Sequence, residues 1–292
     1  MPQSMLSSEK WYGLLGQIVD AVGENSFCQL VADATQHISG YDSTVFIAFI
    51  RNQRPQLIFS NLSKQDETPT LGPYFDGAYL LDPFYDLFRH NAEDGVYRLK
   101  EVAPDEFFDT EYYRSYFMTT RIIDETGMLL KINDDIHLSI SCGLREGSMP
   151  PDLKIKDLRT IFPFVASSCR QHWSRESELS RLLSHNEGGT EFSITLETAF
   201  NNFGKDYLTN RECQILHLIL KGYASKSIAQ LLEISLDTVK VHRKRFHAKL
   251  GVSSQAELFA LFLESIAMVP SGSEQDPLVY YFEGQAINPA SE

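Results

Sequence analysis

The sequence predicts an α+β protein in two parts. The first is an N-terminal α/β/α sensor-type domain on an antiparallel sheet; the second is a C-terminal all-α module of four helices containing a helix-turn-helix. Three observations carry this. Short runs rich in β-branched and aromatic residues occur at 44–50, 57–60, 128–132 and 136–140, all within the first half of the chain. Helical spacing dominates from 207 to 268, where Thr209 with Glu212 and Ser254 with Glu257 each form the hydroxyl-x-x-Glu signature of a helix start. Charge is also divided: Leu208 to Gly251 holds eight Lys/Arg against three Asp/Glu, a net of +5, while the whole chain is −13 and the remainder therefore −18.

Residues 9–22 place Trp11, Leu14, Leu15, Ile18 and Val22 at helical spacing, and Phe27, Leu30, Val31, Ala34 and Ile38 repeat the pattern until Gly40. Thr44 to Ile50 reads as a buried strand, with 57–60 as its hairpin partner. Residues 61–72 are polar and read as loop. From Pro73 to Phe117 the chain turns aromatic, with 13 Phe/Tyr in 45 residues, and helices are expected over 74–90 and 105–119. A hairpin of 128–132 and 136–140 follows, then a helix from about 150 toward 183 containing Pro163. Helices, two strands, helices, two strands and a helix give one antiparallel sheet covered on its faces. The expected boundaries are a sensing or dimerisation domain at 1–183, a linker at 184–206, the helix-turn-helix domain at 207–268 and a mobile tail at 269–292.

In the basic module, Ile215, Leu216, Leu218 and Ile219 form an apolar stripe ended by Gly222. A short helix buries Ile228, Ala229, Leu231 and Leu232, a turn follows at Glu233-Ile234, and Ser235 caps a third helix. On that helix Val239, Phe246 and Leu250 share one side, with His242 beside them; Asp237, Lys240, Val241, Lys244 and Arg245 lie opposite. Lysines donate to guanine edges and valine meets the thymine methyl. Thr238 and Arg243 flank this face, where phosphates run, and Thr209, Lys226 and Ser235 complete the expected DNA-contacting set. The matching residues are Leu208-Thr209, Arg211-Glu212, Ile215-Leu216, Gly222, Ile228-Ala229, Ser235, Thr238-Val239-Lys240, His242 and Lys249 to Val252. With them, the stretch resembles the DNA-binding domain of LuxR-type (quorum-sensing regulator) transcription factors. The resemblance implies base reading at Lys240, Val241 and Lys244, the three that the helix face also selects. Gln255 departs from it, standing where a basic residue is common.

No glycine-rich phosphate loop, HExxH, GxSxG or clustered His/Cys is present, so the expectation is no enzyme, no metal and no cofactor. A phosphoacceptor receiver domain is disfavoured because the chain opens with two helices. The strand and helix order instead resembles the autoinducer-binding domain of the same family, with Tyr79-Leu80-Leu81-Asp82-Pro83 as the local match. That resemblance implies that Asp82 accepts a ligand amide N–H, although Trp11 and Trp173 lie outside the region of the family's pocket tryptophans. Rings beside a carboxylate suit an amine- or amide-bearing molecule, and Tyr79, Asp82, Tyr85, Phe88, Tyr112 and Tyr116 are the expected ligand residues. Other partners are double-stranded DNA carrying inverted repeats and a second copy of the chain. The alternative is a constitutive DNA-binding regulator whose first domain only dimerises or docks a protein. Four separated cysteines, no signal peptide and no apolar run long enough to span a bilayer lead to the expectation of a cytoplasmic protein away from membranes.

Overall fold

The computed structural model describes residues 6, 8–51, 53–110, 112–146, 155–174, 190–270 and 272–287. The chain divides into two compact units. The first is formed by 1–79, 83–102 and 118–187; the second by 80–82, 103–117 and 188–292.

The first unit is a five-stranded antiparallel sheet with helices on both faces. Helices α1 (Glu9–Asp20) and α2 (Phe27–Ser39) lead into β1 (Ser43–Ile50) and β2 (Gln56–Ser60). Gly40, at φ 78°, supplies the left-handed turn that ends α2. After α3 (Lys64–Phe75), α4 (Pro83–Arg89), β3 (Gly95–Arg98) and the single turn α5 (Leu99–Val102), the chain enters the hairpin β4 (Ile122–Lys131) and β5 (Ile136–Arg145). Helix α6 (Ile155–Trp173) follows and contains Pro163. Strand order is β2-β1-β5-β4-β3, and β1 aligns on β5 from Ser43↔Gly143 to Ile50↔Ile136.

Alternation sorts the strands into two faces. Phe46, Ala48, Ile50, Met128, Leu130, Leu138 and Ile140 pack with Trp11, Ile18, Phe27, Val31, Leu158, Val165 and Trp173 from α1, α2 and α6. On the other face the rings of α4 cover the sheet. Tyr85 and Phe88 stand 5.2 and 5.5 Å from Phe49, and a Cβ on Gly127 would fall 2.9 Å from the Phe84 ring, so this strand position needs glycine.

Several expectations are corrected here. Residues 64–75 are helix, not loop: the Ser63 hydroxyl accepts from the Asp66 N–H, and Thr70, Leu71 and Tyr74 are buried. The helix expected over 74–90 is broken, with a 3₁₀ turn at Ala78–Leu81 before α4. Strand β3 was not anticipated; its four residues pair with β4 from Gly95↔Leu129 to Arg98↔Thr126. The helix expected over 105–119 is replaced by short turns at Phe107–Asp109, Tyr112–Tyr116 and Phe117–Thr120. Thr110 interrupts it, with ψ 155°. Its hydroxyl donates to the Phe107 carbonyl and accepts from the Tyr113 N–H, a local competition that threonine readily wins over helix. Residues 175–183, expected at the end of the preceding helix, lie outside the described residues.

In the second unit, α7 (Thr190–Asn202) falls within the stretch expected as linker, and α8 (Asn210–Leu220), α9 (Ser225–Leu231), α10 (Leu236–Leu250) and α11 (Gln255–Ala267) follow. Leu196, Phe200, Phe203, Ile215, Leu216, Ile219, Ile228, Val239, Phe246, Leu250, Leu258 and Phe262 form their core. Within the stretch expected as a mobile tail, Pro277–Ile287 forms α12. Buried Asp276 accepts from the N–H groups of Gly204, Asp206 and Leu278, at 2.9–3.0 Å. A buried carboxylate requires such donors, and this one ties the tail to the chain before α8.

Candidate functional site: the outer face of helix α10 and an aromatic cluster

Helix α8 starts on a complete capping box: the Thr209 hydroxyl takes the Glu212 N–H, and the Glu212 carboxylate takes the Thr209 N–H at 2.9 Å. Lys249 from α10 closes on the same carboxylate at 2.6 Å. Burial raises the Glu212 carboxyl, but the bonds from Lys249 and Thr209 outweigh it and hold it below its ordinary value. Lys249 is therefore engaged inside the module. Arg211 donates to the Leu232 carbonyl at 2.7 Å, and Gln255 points its amide at the Ile219 carbonyl at 3.4 Å.

The turn into α10 uses Glu233 at φ 54°, and Ser235 accepts from the Thr238 N–H at 3.0 Å. The two hydroxyls of Ser235 and Thr238 also share a bond of 2.8 Å. Val239, Phe246 and Leu250 are buried, whereas Asp237, Lys240, Val241, Lys244 and Arg245 are exposed. Val241, at 48% exposure, is an apolar side chain left in solvent among charges. Lys240 lies 3.5 Å from Asp237, one turn away on the same face. Half-buried Arg243 donates to the Ser225 hydroxyl at 2.9 Å, joining α10 to the start of α9, and Lys226 is exposed beside it. Leu231, expected inside, is 57% exposed; it occupies the last turn of a seven-residue helix and lies off the Ile228-Ala229 side.

His217 carries a second electrostatic feature. It stacks on Phe200 at 5.1 Å, and its Nε2 lies 3.1 Å from the Phe203 carbonyl. Burial lowers its pKa from 6.5 to about 4, against the opposing bond from Phe203.

The expected ligand residues divide between the units. Tyr79, Tyr85 and Phe88 belong to the first and are buried. Tyr79 meets Tyr85 edge-on at 5.0 Å, and Tyr85 lies 5.6 Å from Phe88. Asp82, half-buried, and Tyr112, buried against Phe107 at 5.7 Å, belong to the second. The backbone of Tyr116 lies in the turn at 112–116, and its side chain is outside the described residues. His137, on β5, joins the cluster without having been selected: its ring is 5.1 Å from Phe88 and its Nδ1 is buried without a hydrogen-bond partner among the described residues. Burial first, then nearby Lys131, lowers its pKa and keeps the imidazole neutral. The signal available beforehand was a histidine among alternating strand residues, which does not separate a site from a core.

The profile "Bacterial regulatory proteins, luxR family" matches residues 206–262. A protein of Aeromonas salmonicida, described as an HTH-type transcriptional regulator in the exeN 3′ region, is 34% identical over 197 residues, covering 67% of this chain and 100% of that one. The oxygen regulatory protein NreC of Staphylococcus aureus is 47% identical over 51 residues, 18% of this chain and 24% of NreC. The crystal structure of the VqsR LBD domain of Pseudomonas aeruginosa superposes with a TM-score of 0.50 at 23% identity, over 57% of this chain and 98% of that one. The chain belongs to the LuxR family of bacterial regulatory proteins, as a helix-turn-helix DNA-binding transcriptional regulator whose N-terminal domain shares the fold of the VqsR LBD domain.

Proposed function

We propose that this regulator reads an operator through Lys240, Val241 and Lys244, holds it through phosphate contacts from Thr209, Lys226, Ser235, Thr238, Arg243 and Arg245, and is controlled by a small molecule bound in its N-terminal domain. The observation that carries the DNA half is the outer face of α10, where Lys240, Val241 and Lys244 are solvent-exposed on one side of a helix whose other side is core. Each helix-turn-helix module reads few bases, so two copies on an inverted repeat supply the specificity. Sedimentation of the full chain on a saturating inverted-repeat duplex is expected to give two protomers per duplex. One protomer on one half-site at saturation contradicts this.

For the effector, we infer a small molecule bearing an amine or amide N–H; the sequence nominates Tyr79, Asp82, Tyr85, Phe88, Tyr112 and Tyr116 as its contacts, and of these Tyr79, Tyr85 and Phe88 are gathered within the first unit. Tyrosines place hydroxyls and π-faces where phenylalanines would suffice for packing, and His137 adds a neutral imidazole within the cluster. Calorimetry with an amine and amide panel is expected to find a binder whose affinity drops on Asp82→Asn. Tight binding of a purely anionic or wholly apolar compound, indifferent to Asp82→Asn, overturns the assignment.

A further inference from the structure

Residues 103–117 lie in sequence between two strands of the sheet, β3 and β4, yet belong to the same compact unit as the helix-turn-helix. The contact is specific. Asp105 accepts from the Ala224 N–H at 3.0 Å and from the Ser227 hydroxyl at 2.7 Å, so both carboxylate oxygens engage the start of α9. The Glu106 N–H donates to the Gly222 carbonyl at 2.9 Å. Gly222 sits at φ 94°, and a Cβ there would fall 2.8 Å from the Phe107 Cα and from the Thr110 methyl carbon. Glycine at this position thus serves the close approach of a second chain segment as well as the end of α8.

The stretch so occupied, 222–227, is the entrance to the first helix of the helix-turn-helix, the helix that crosses the DNA backbone when the second lies in the groove. It contains exposed Lys226 and the Ser225 hydroxyl bonded by Arg243. Asp105 takes two donors there and sets negative charge where phosphates run. Burial raises its carboxyl, but the bonds from Ala224 and Ser227 outweigh it and hold it below its ordinary value, so the group is ionised in place.

We propose that the segment around Asp105 is an autoinhibitory clasp: it occupies the phosphate-facing entrance of α9 and must release before the module binds DNA. This rests on the DNA face proposed above.

The test uses the full chain and a duplex of random sequence at fixed salt, read by fluorescence anisotropy. If the clasped form dominates, Asp105→Ala tightens binding on the order of tenfold, since apparent affinity scales with the competent fraction. Asp109→Ala, which removes the same charge from a side chain 80% exposed and paired with Arg114 rather than with the module, changes it less than about twofold. The double variant Asp105→Cys/Ser227→Cys locks the clasp when oxidised: it is expected to lose DNA binding and regain it on reduction. Asp105→Ala binding no more tightly than wild type, Asp109→Ala matching it, or an oxidised pair that binds DNA normally or does not form each overturn the clasp. Arg245→Ala, which removes a proposed phosphate contact from the exposed face of α10, keeps the two readings separate in the same assay. If it leaves binding unchanged the proposed face fails, whereas the ratio of oxidised to reduced affinity reads the clasp alone.

Discussion

The outer face of α10 and the aromatic cluster on the sheet are built on opposite physics. On α10, Lys240, Val241, Lys244 and Arg245 stand in solvent and the fold does not need them, because Val239, Phe246 and Leu250 on the reverse side do the packing. In the cluster, Tyr79, Tyr85 and Phe88 are themselves core, with Tyr85 edge-on to Phe49 and Phe88 edge-on to His137. One site is separable from stability and the other is not. Substitutions on α10 should change affinity alone, whereas those in the cluster should change folding and any ligand response together.

The largest effect expected from this contrast is on stability. Phe88→Ala removes a buried ring and is expected to cost about 3–5 kcal/mol in chemical denaturation, while Lys244→Ala stays within about 0.5 kcal/mol of wild type. Similar costs for the two would erase the distinction.

The same contrast decides how much was legible in the sequence. The helix-turn-helix is written in local signals: Thr209 and Glu212 cap, Gly222 and Gly251 stop, Ser235 restarts, and the spacing of Val239, Phe246 and Leu250 orients the helix without knowledge of the rest of the chain. The aromatic stretch depends on distant partners. Strand β3 is only four residues long and exists because β4 offers it a ladder. Helix α3 looks like loop because its polar residues face water and only Thr70, Leu71 and Tyr74 turn inward. The 105–110 segment looks helical, but Thr110 bonds its own backbone and Asp105 bonds residues more than a hundred positions away. Side-chain spacing holds no record of such contacts. Individual ties inside the module were hidden for the same reason, as with Arg243 on Ser225 and Lys249 on Glu212.

A smaller effect is expected from pH, and it should sharpen the comparison. His217 has a folded-state pKa of about 4 against an ordinary 6.5, so the unfolded chain takes up the proton first on acidification. The stabilisation from keeping it neutral is complete above pH 6.5 and drains away as pH falls toward about 4. The loss should be on the order of 1–3 kcal/mol. Melting followed through near-UV signals is expected to fall over that window, and His217→Phe should flatten the part that this group contributes. An unchanged pH profile in the variant would mean that the histidine is solvated.

The most direct test of the central claim, that α10 reads bases through Lys240 and Lys244 and phosphates through Arg243, compares three variants on one selected operator and its single-base substitutions. Lys240→Ala and Lys244→Ala are expected each to cost about 1–3 kcal/mol and to relax preference at one position per half-site. Arg243→Ala should weaken all sequences alike and lower the slope of log affinity against log salt by about 1. If Lys240→Ala leaves the footprint and the base preferences as they are in wild type, the recognition helix does not lie in the groove by this face.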